Sequence, residues 1–135
     1  MNIRLGAIVL DARDLDEESS FWAGLLDGTI QTSDGWHTVT VAGGTTIAVQ
    51  HAAGHVPPVW PDGEPQQIHL DFDVTDIRTA HERATSLGAR VLEPAAGPNL
   101  DAPVGYQVYA DPAGHPFCLC WGQSLAGEQG QDDAS

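Results

Sequence analysis

Imidazole, carboxylate and thiol groups do most of the proton transfer, nucleophilic attack and metal ligation in proteins. In this chain they are closely spaced at two places. The first is Ile68-His69-Leu70-Asp71-Phe72-Asp73-Val74, where polar and apolar residues alternate strictly. Alternation is the period of a half-buried strand, so His69, Asp71 and Asp73 would project from one face. A carboxylate two residues from an imidazole can orient it as a general base. Asp71 with Asp73 would place two carboxylates where a cationic ligand can sit between them. The second place is Cys118-Leu119-Cys120. On a strand these thiols share a face, with Cα atoms about 6.5–7 Å apart, at the edge of disulfide geometry. With no second cysteine pair in the chain, the simplest reading is two reduced, buried small residues.

Secondary structure is needed to bring these groups together. Ile3 to Ala12 reads as a strand. Asp14 caps a helix through Phe21, Trp22, Leu25 and Leu26, with Glu17 in a variant of the capping box. Asp27-Gly28 ends that helix. Strands follow at Thr29 to Ser33, Trp36 to Ala42 and Thr45 to His51, separated by turns at Asp34-Gly35 and Gly43-Gly44. Residues His55 to Pro65 include Pro57, Pro58, Pro61 and Pro65, show no periodicity and read as a crossover. The order then restarts: a strand from Gln67 to Val74, a helix from Asp76 to Leu87, and strands at Ala89 to Glu93, Val104 to Ala110 and Pro116 to Trp121. The pattern β-α-β-β-β occurs twice, which an internal duplication explains more simply than chance. Asp14 overlays Asp76, Leu25 overlays Leu87, and Gly44 overlays Gly114. The expected organisation is one domain over 1–123, with module one at 3–51, a linker at 52–65 and module two at 66–122. A polar tail follows at 124–135.

The segments Ile68-His69-Leu70-Asp71-Phe72-Asp73-Val74-Thr75-Asp76 and Asp111-Pro112-Ala113-Gly114-His115-Pro116-Phe117 carry a family likeness. The first resembles the opening strand of a half-domain in the vicinal oxygen chelate (glyoxalase/bleomycin-resistance/dioxygenase) superfamily. The second resembles that superfamily's closing hairpin. The run Pro57-Pro58-Val59-Trp60-Pro61 is similar to a linker in glyoxalase-like proteins of actinobacteria. The resemblance covers roughly residues 3 to 122 and implies an α+β fold. Two βαβββ modules would form a curled mixed sheet around a cleft, with helices on the convex side. Strand alternation sorts the residues consistently with this. Ile8, Leu10, Ile47, Val49, Leu70, Phe72, Val74, Phe117, Leu119 and Trp121 would pack on the helices. Ala7, Val9, Asp11, Ala48, Gln50, His69, Asp71, Asp73, Cys118 and Cys120 would face the cleft.

The resemblance also implies four metal-ligand positions, on the first and fourth strands of each half. They fall on Ala7, Ala48, His69 and Cys118. Only His69 is a usual ligand at its place, and alanine coordinates nothing. No metal cofactor is therefore favoured. A divalent ion would need His69 with Gln50 after a register slip of two residues, which also admits Cys120, or help from Asp11, Asp71 or His37. The likeness implies an aromatic wall in metal-free relatives that bind flat drugs such as bleomycin. Trp36, Trp60 and Tyr106 are the candidates here, whereas Trp22 and Trp121 belong to the core. Ligand contacts are thus expected at His69, Gln50, Trp60, Trp36, Asp71, Tyr106 and Cys118. If the chain is catalytic, the candidates are His69 as base, Asp71 as its partner and Cys118 as a nucleophile facing His69. His115 is expected to bond backbone in its turn.

Bulk properties exclude several classes. The chain has 135 residues, enough for one core, and 41% are hydrophobic. Its net charge is −14, with five arginines and no lysine. Such a surface repels phosphate backbones and anionic lipid, so neither nucleic acid nor membrane is an expected partner. No apolar run approaches the roughly 20 residues of a membrane span, and the N-terminus lacks a signal-peptide pattern, which gives a cytoplasmic expectation. The functional expectation is a small-molecule-binding protein, metal-independent, for an antibiotic or natural product. The alternative is a lyase, isomerase or dioxygenase with an atypical metal site or His69 as base. A homodimer is implied by the resemblance.

Overall fold

A computed structural model describes residues 5–63 and 68–122. The expected strand starts at Ile3 and Gln67, the end of the linker and the tail after Gln123 lie outside those residues. The described chain runs β1 (Ala7–Ala12), α1 (Leu15–Leu26), β2 (Thr29–Ser33), β3 (Trp36–Thr40) and β4 (Thr46–His51). After the crossover come β5 (Leu70–Val74), α2 (Ile77–Ser86), β6 (Arg90–Glu93), β7 (Gly105–Ala110) and β8 (Pro116–Trp121). The two βαβββ modules are as the repeat predicts. Their strands form two mixed four-stranded sheets, in the orders β1-β4-β3-β2 and β5-β8-β7-β6, which among the described residues are not hydrogen-bonded into one. In each, the first strand of the module pairs parallel with the last, and the remaining pairs are antiparallel.

Local chemistry explains the helix boundaries. Asp14 and Asp76 sit in extended backbone, and each accepts a bond from the third residue of its helix, Glu17 N at 3.0 Å and Thr79 N at 3.2 Å. These bonds satisfy amides that have no intrahelical partner. Asp27 ends α1 in the left-handed region, at φ 54°. Arg83 of α2 reaches across and donates to Gly24 O and to the Asp27 carboxylate. A cation thus meets the exposed carbonyls at the end of α1, where the helix dipole favours it.

One core joins the modules. Leu10, Phe21, Trp22, Val39 and Ile47 of module one cluster with Ile77, Tyr109, Phe117, Leu119 and Trp121 of module two. Trp22 and Phe21 both make ring contacts with Phe117, at centroid distances of 5.1 and 5.8 Å, and Trp22 also meets Phe72 at 5.7 Å. The apolar residues of β1, β4, β5 and β8 therefore lie on the helix side, as alternation predicts. Trp121 passes over Gly105, where a Cβ would collide with the indole, so β7 needs glycine at that point.

The core also holds a polar knot. The Trp22 indole N–H donates to Asp111 Oδ2 at 3.0 Å and to Glu18 Oε2 at 3.2 Å. Glu18 Oε1 accepts from Ala113 N, and Asp111 Oδ1 from His115 N. Both acids are fully buried. Burial, then the adjoining Asp111, pushes the Glu18 carboxyl far above the usual carboxylate range, so Glu18 keeps its proton at neutral pH. The Asp111-Pro112-Ala113-Gly114 turn is thereby fastened to α1.

Candidate functional site

The face of each sheet turned away from the core carries the residues of interest, and register shows which of them adjoin. On the second sheet, Asp71 pairs with Cys118, which pairs with Val108. The next row is Asp73, Cys120 and Tyr106. On the first sheet the corresponding rows are Val9, Ala48 and Thr38, then Asp11, Gln50 and Trp36. The modules share one element order and one pattern of strand pairing, but the chemistry sits on the second one. Where module two has Asp71 beside Cys118, module one has valine beside alanine.

Four polar side chains meet on the second sheet. His69, just before β5, places Nε2 3.1 Å from Asp71 Oδ1. The sulfurs of Cys118 and Cys120 stand 3.5 Å apart, and both cysteines are free. A carboxylate oxygen of Asp71 and the two sulfurs lie within 4.8 Å of one another. The Asp71 side chain is 60% exposed and that of His69 42%, whereas Cys118 is buried. Burial, followed by the neighbouring Cys120 and the charge of Asp71, pushes the Cys118 thiol up to about 12. Cys120 is raised as well, chiefly by burial. A nucleophilic cysteine needs the opposite shift. The environment of Cys118 thus disfavours the thiolate that the nucleophile expectation requires.

The other expected residues divide between the sheets. Tyr106 is 51% exposed on the same face as Cys120. Trp60 is half-buried in the crossover and lines a cavity of about 430 Å³ with Pro57, Val59, Arg90, Leu92 and Ala110. Ala110 lies on the Tyr106 side of β7, so Trp60 borders the second sheet's outer face. Trp36 and Gln50 pair with each other on the first sheet. The faces approach at the β1–β5 edge, where Val9, Asp11, Ile68, His69 and His115 line a cavity of about 300 Å³. His37 points the other way, bonded through Nδ1 to Ser19 Oγ at 2.9 Å and buried against α1, so it does not reach the cleft. His115 bonds the backbone carbonyl of Asp11 at 2.7 Å, as its turn position predicts.

Sequence reasoning missed two features. Alternation places Cys120 on the cleft face beside Cys118, but the family positions admit it as a metal ligand only after a register slip, and it joins Asp71 and Cys118 without one. The buried Glu18 stands beside the capping residues and went unnoticed. Its signal was a carboxylate four residues before Trp22, on the apolar stripe of the helix.

Two parallel–antiparallel four-stranded sheets, each backed by its own helix and related by an internal repeat, define the vicinal oxygen chelate class of fold. The chain belongs to the glyoxalase-like domain family, whose model matches residues 7–120. No curated protein matched the sequence. Among solved structures, the fosfomycin resistance protein FosX from Mesorhizobium loti superimposes with a TM-score of 0.69 at 17% identity, covering 93% of this chain and 96% of that one. A glyoxalase/bleomycin resistance protein/dioxygenase family enzyme from Burkholderia phytofirmans PsJN gives 0.68 at 15% identity, covering 90% and 100%. A point mutant of FosX from Listeria monocytogenes, complexed with Mn(II) and 1S,2S-dihydroxypropylphosphonic acid, gives 0.66 at 18% identity, covering 93% and 94%.

The Listeria structure holds Mn(II), and the chemistry of the residues at the corresponding positions decides whether such an ion fits this chain. The four ligand positions implied by the family carry Ala7, Ala48, His69 and Cys118. Two methyl groups, one imidazole and one buried thiol do not provide the oxygen- and nitrogen-rich ring that a hard ion such as manganese prefers. The residues do not fit that ring, and no step of a mechanism is derived through it. Among the described residues, no helix is long and apolar enough to cross a membrane.

Proposed function

We propose that this chain binds a small organic molecule, neutral or cationic and partly aromatic, on the outer face of its second sheet. The observation that carries this reading is the exposed row of Asp73, Cys120 and Tyr106 beside the His69–Asp71 pair. An aromatic surface next to carboxylates suits a flat ligand bearing positive charge. The net charge of −14 works against a phosphonate anion like the one in the Listeria complex. Trp60 extends the same face, and Trp36 with Gln50 would complete a wall where the two sheets approach. An antibiotic or other natural product fits this chemistry, and binding requires no metal. We further read the protein as cytoplasmic and homodimeric. Val9, Ile68 and Val104 are large, exposed hydrophobic side chains that a second copy would cover.

The test is binding to chelator-treated protein, using copper-free bleomycin and a panel of cationic aromatic natural products in calorimetry. Binding that weakens about tenfold in Tyr106→Ala and in Asp71→Asn supports the reading. Indifference of the bound ligands to both substitutions removes it. One alternative has an observation in its favour. The 3.1 Å contact between His69 and Asp71 is the geometry of an oriented general base. A lyase or isomerase of this kind would turn over substrate without metal, and His69→Ala would abolish the turnover.

A further inference from the structure

We infer that Asp71, Cys118 and Cys120 form a binding site for a thiophilic cation, zinc(II), held by the second module alone. This goes beyond the small-molecule reading, and either can fail without the other. The site is also not the four-cornered ring that the fold implies, since two of its three donors, Asp71 and Cys120, lie outside the ring positions.

The argument is geometric. A tetrahedral zinc ion with thiolate bonds near 2.3 Å and carboxylate bonds near 2.1 Å needs donors about 3.6–3.8 Å apart. Here the sulfurs are 3.5 Å apart and the Asp71 oxygen lies within 4.8 Å of both. Small side-chain rotations close that difference. The donors come from the parallel pair β5–β8, where Asp71 stands directly opposite Cys118. They are thus held by strand register, which is stiffer than a loop. His69 contacts the Asp71 carboxylate at 3.1 Å. A partner on the far side of a ligand fixes its orientation and tunes its basicity. The composition is selective too: two sulfurs and one oxygen suit zinc, cadmium or cuprous copper and are poor ligands for magnesium, calcium or manganese. Three protein donors leave a fourth position open toward the exposed side of Asp71, for water or a ligand oxygen.

Proton balance follows from the thiols. Each thiol must lose its proton to bind as thiolate. Zinc would bind as each sulfur gives its proton to solvent, so affinity should rise steeply with pH. A disulfide is the competing fate of the pair. Its bond length near 2.05 Å and the extended strand between the two residues make closure strained.

The experiment uses the full chain, reduced with a phosphine, stripped with chelator and titrated with cobalt(II), then zinc(II). The expected result is one equivalent of cobalt giving a thiolate-to-cobalt charge-transfer band, which zinc abolishes by displacement. Cys120→Ser should lose the band and weaken zinc at least tenfold. Cys120 is only partly buried, so this variant should keep the wild-type circular dichroism even if Cys118→Ser does not fold. Asp71→Asn should weaken zinc about tenfold while keeping the band. Absence of the band at one equivalent overturns the inference. So does undiminished zinc binding in Cys120→Ser, or binding lost in His69→Ala but kept in both cysteine variants. Bleomycin binding by the same metal-free sample, with no cobalt band, would sink this site and leave the proposed function standing; the reverse pair of results would do the opposite.

Discussion

Glu18 holds a proton beside Asp111 under the indole of Trp22, and that proton ties stability to pH. The Glu18 carboxyl titrates far higher in the folded chain than in the unfolded one, because burial and Asp111 both disfavour its charged form. The folded state therefore holds a proton that the unfolded state releases. By linkage, stability is full below the ordinary carboxylate range and falls as pH rises from there into the alkaline range. The melting temperature should decline steadily between pH 5 and about 9. Glu18→Gln, which keeps an acceptor for Ala113 N and cannot ionise, should flatten that slope; an unchanged slope would dissociate it from this pair. Asp76 works in the opposite sense. Its bonds from the Thr79 hydroxyl and amide lower its titration, so its capping contribution is lost as pH falls through the carboxylate range. At this scale the sequence was only partly legible. Alternation put His69, Asp71 and Cys118 on one face, and the stripe position of Glu18 hints that it turns inward, but nothing local reveals that it meets a residue of the last hairpin. That depends on how module two closes over α1.

Capped ends and a side chain borrowed from the other module secure the helices. Asp14→Ala removes the acceptor for Glu17 N and should cost about 1 kcal/mol in denaturant unfolding. Arg83 bonds the last turn of α1 and Asp27 from a half-exposed position, where solvent screens the charge. Arg83→Ala should cost about 1 kcal/mol, and a double-mutant cycle with Asp27→Ala should recover only part of it, since the Gly24 carbonyl bonds remain in one arm. The elements were readable in order and type from periodicity, caps and turn residues; most ends move by a residue or two, while β1 and β5 begin later than expected, at Ala7 and Leu70. Trp36 to Ala42 ends as a strand at Thr40, and β5 begins at Leu70, leaving His69 just ahead of it. The division of the strands between two sheets was less legible. Face alternation fixes which side of a strand is apolar but not whether two edge strands exchange hydrogen bonds, and among the described residues β1 and β5 do not.

The whole molecule is less modular than its repeat. Phe72 and Phe117 of module two complete the packing around Trp22, so each half alone would expose the aromatic face it now buries. A chain split after Gly63 should give two fragments with little structure by circular dichroism, and mixing them should restore the native signal. Independent folding of the first fragment would contradict the shared core. The bond from Trp22 to Asp111 spans 89 positions of sequence. At synthesis rates of about 5–20 residues per second, the ribosome needs roughly 4–18 seconds to deliver the second partner after the first. For that interval the side of Phe21 and Trp22 that Phe72 and Phe117 later cover stays open. Nascent chains of this protein should therefore depend on a chaperone that shields apolar helices until the last hairpin emerges.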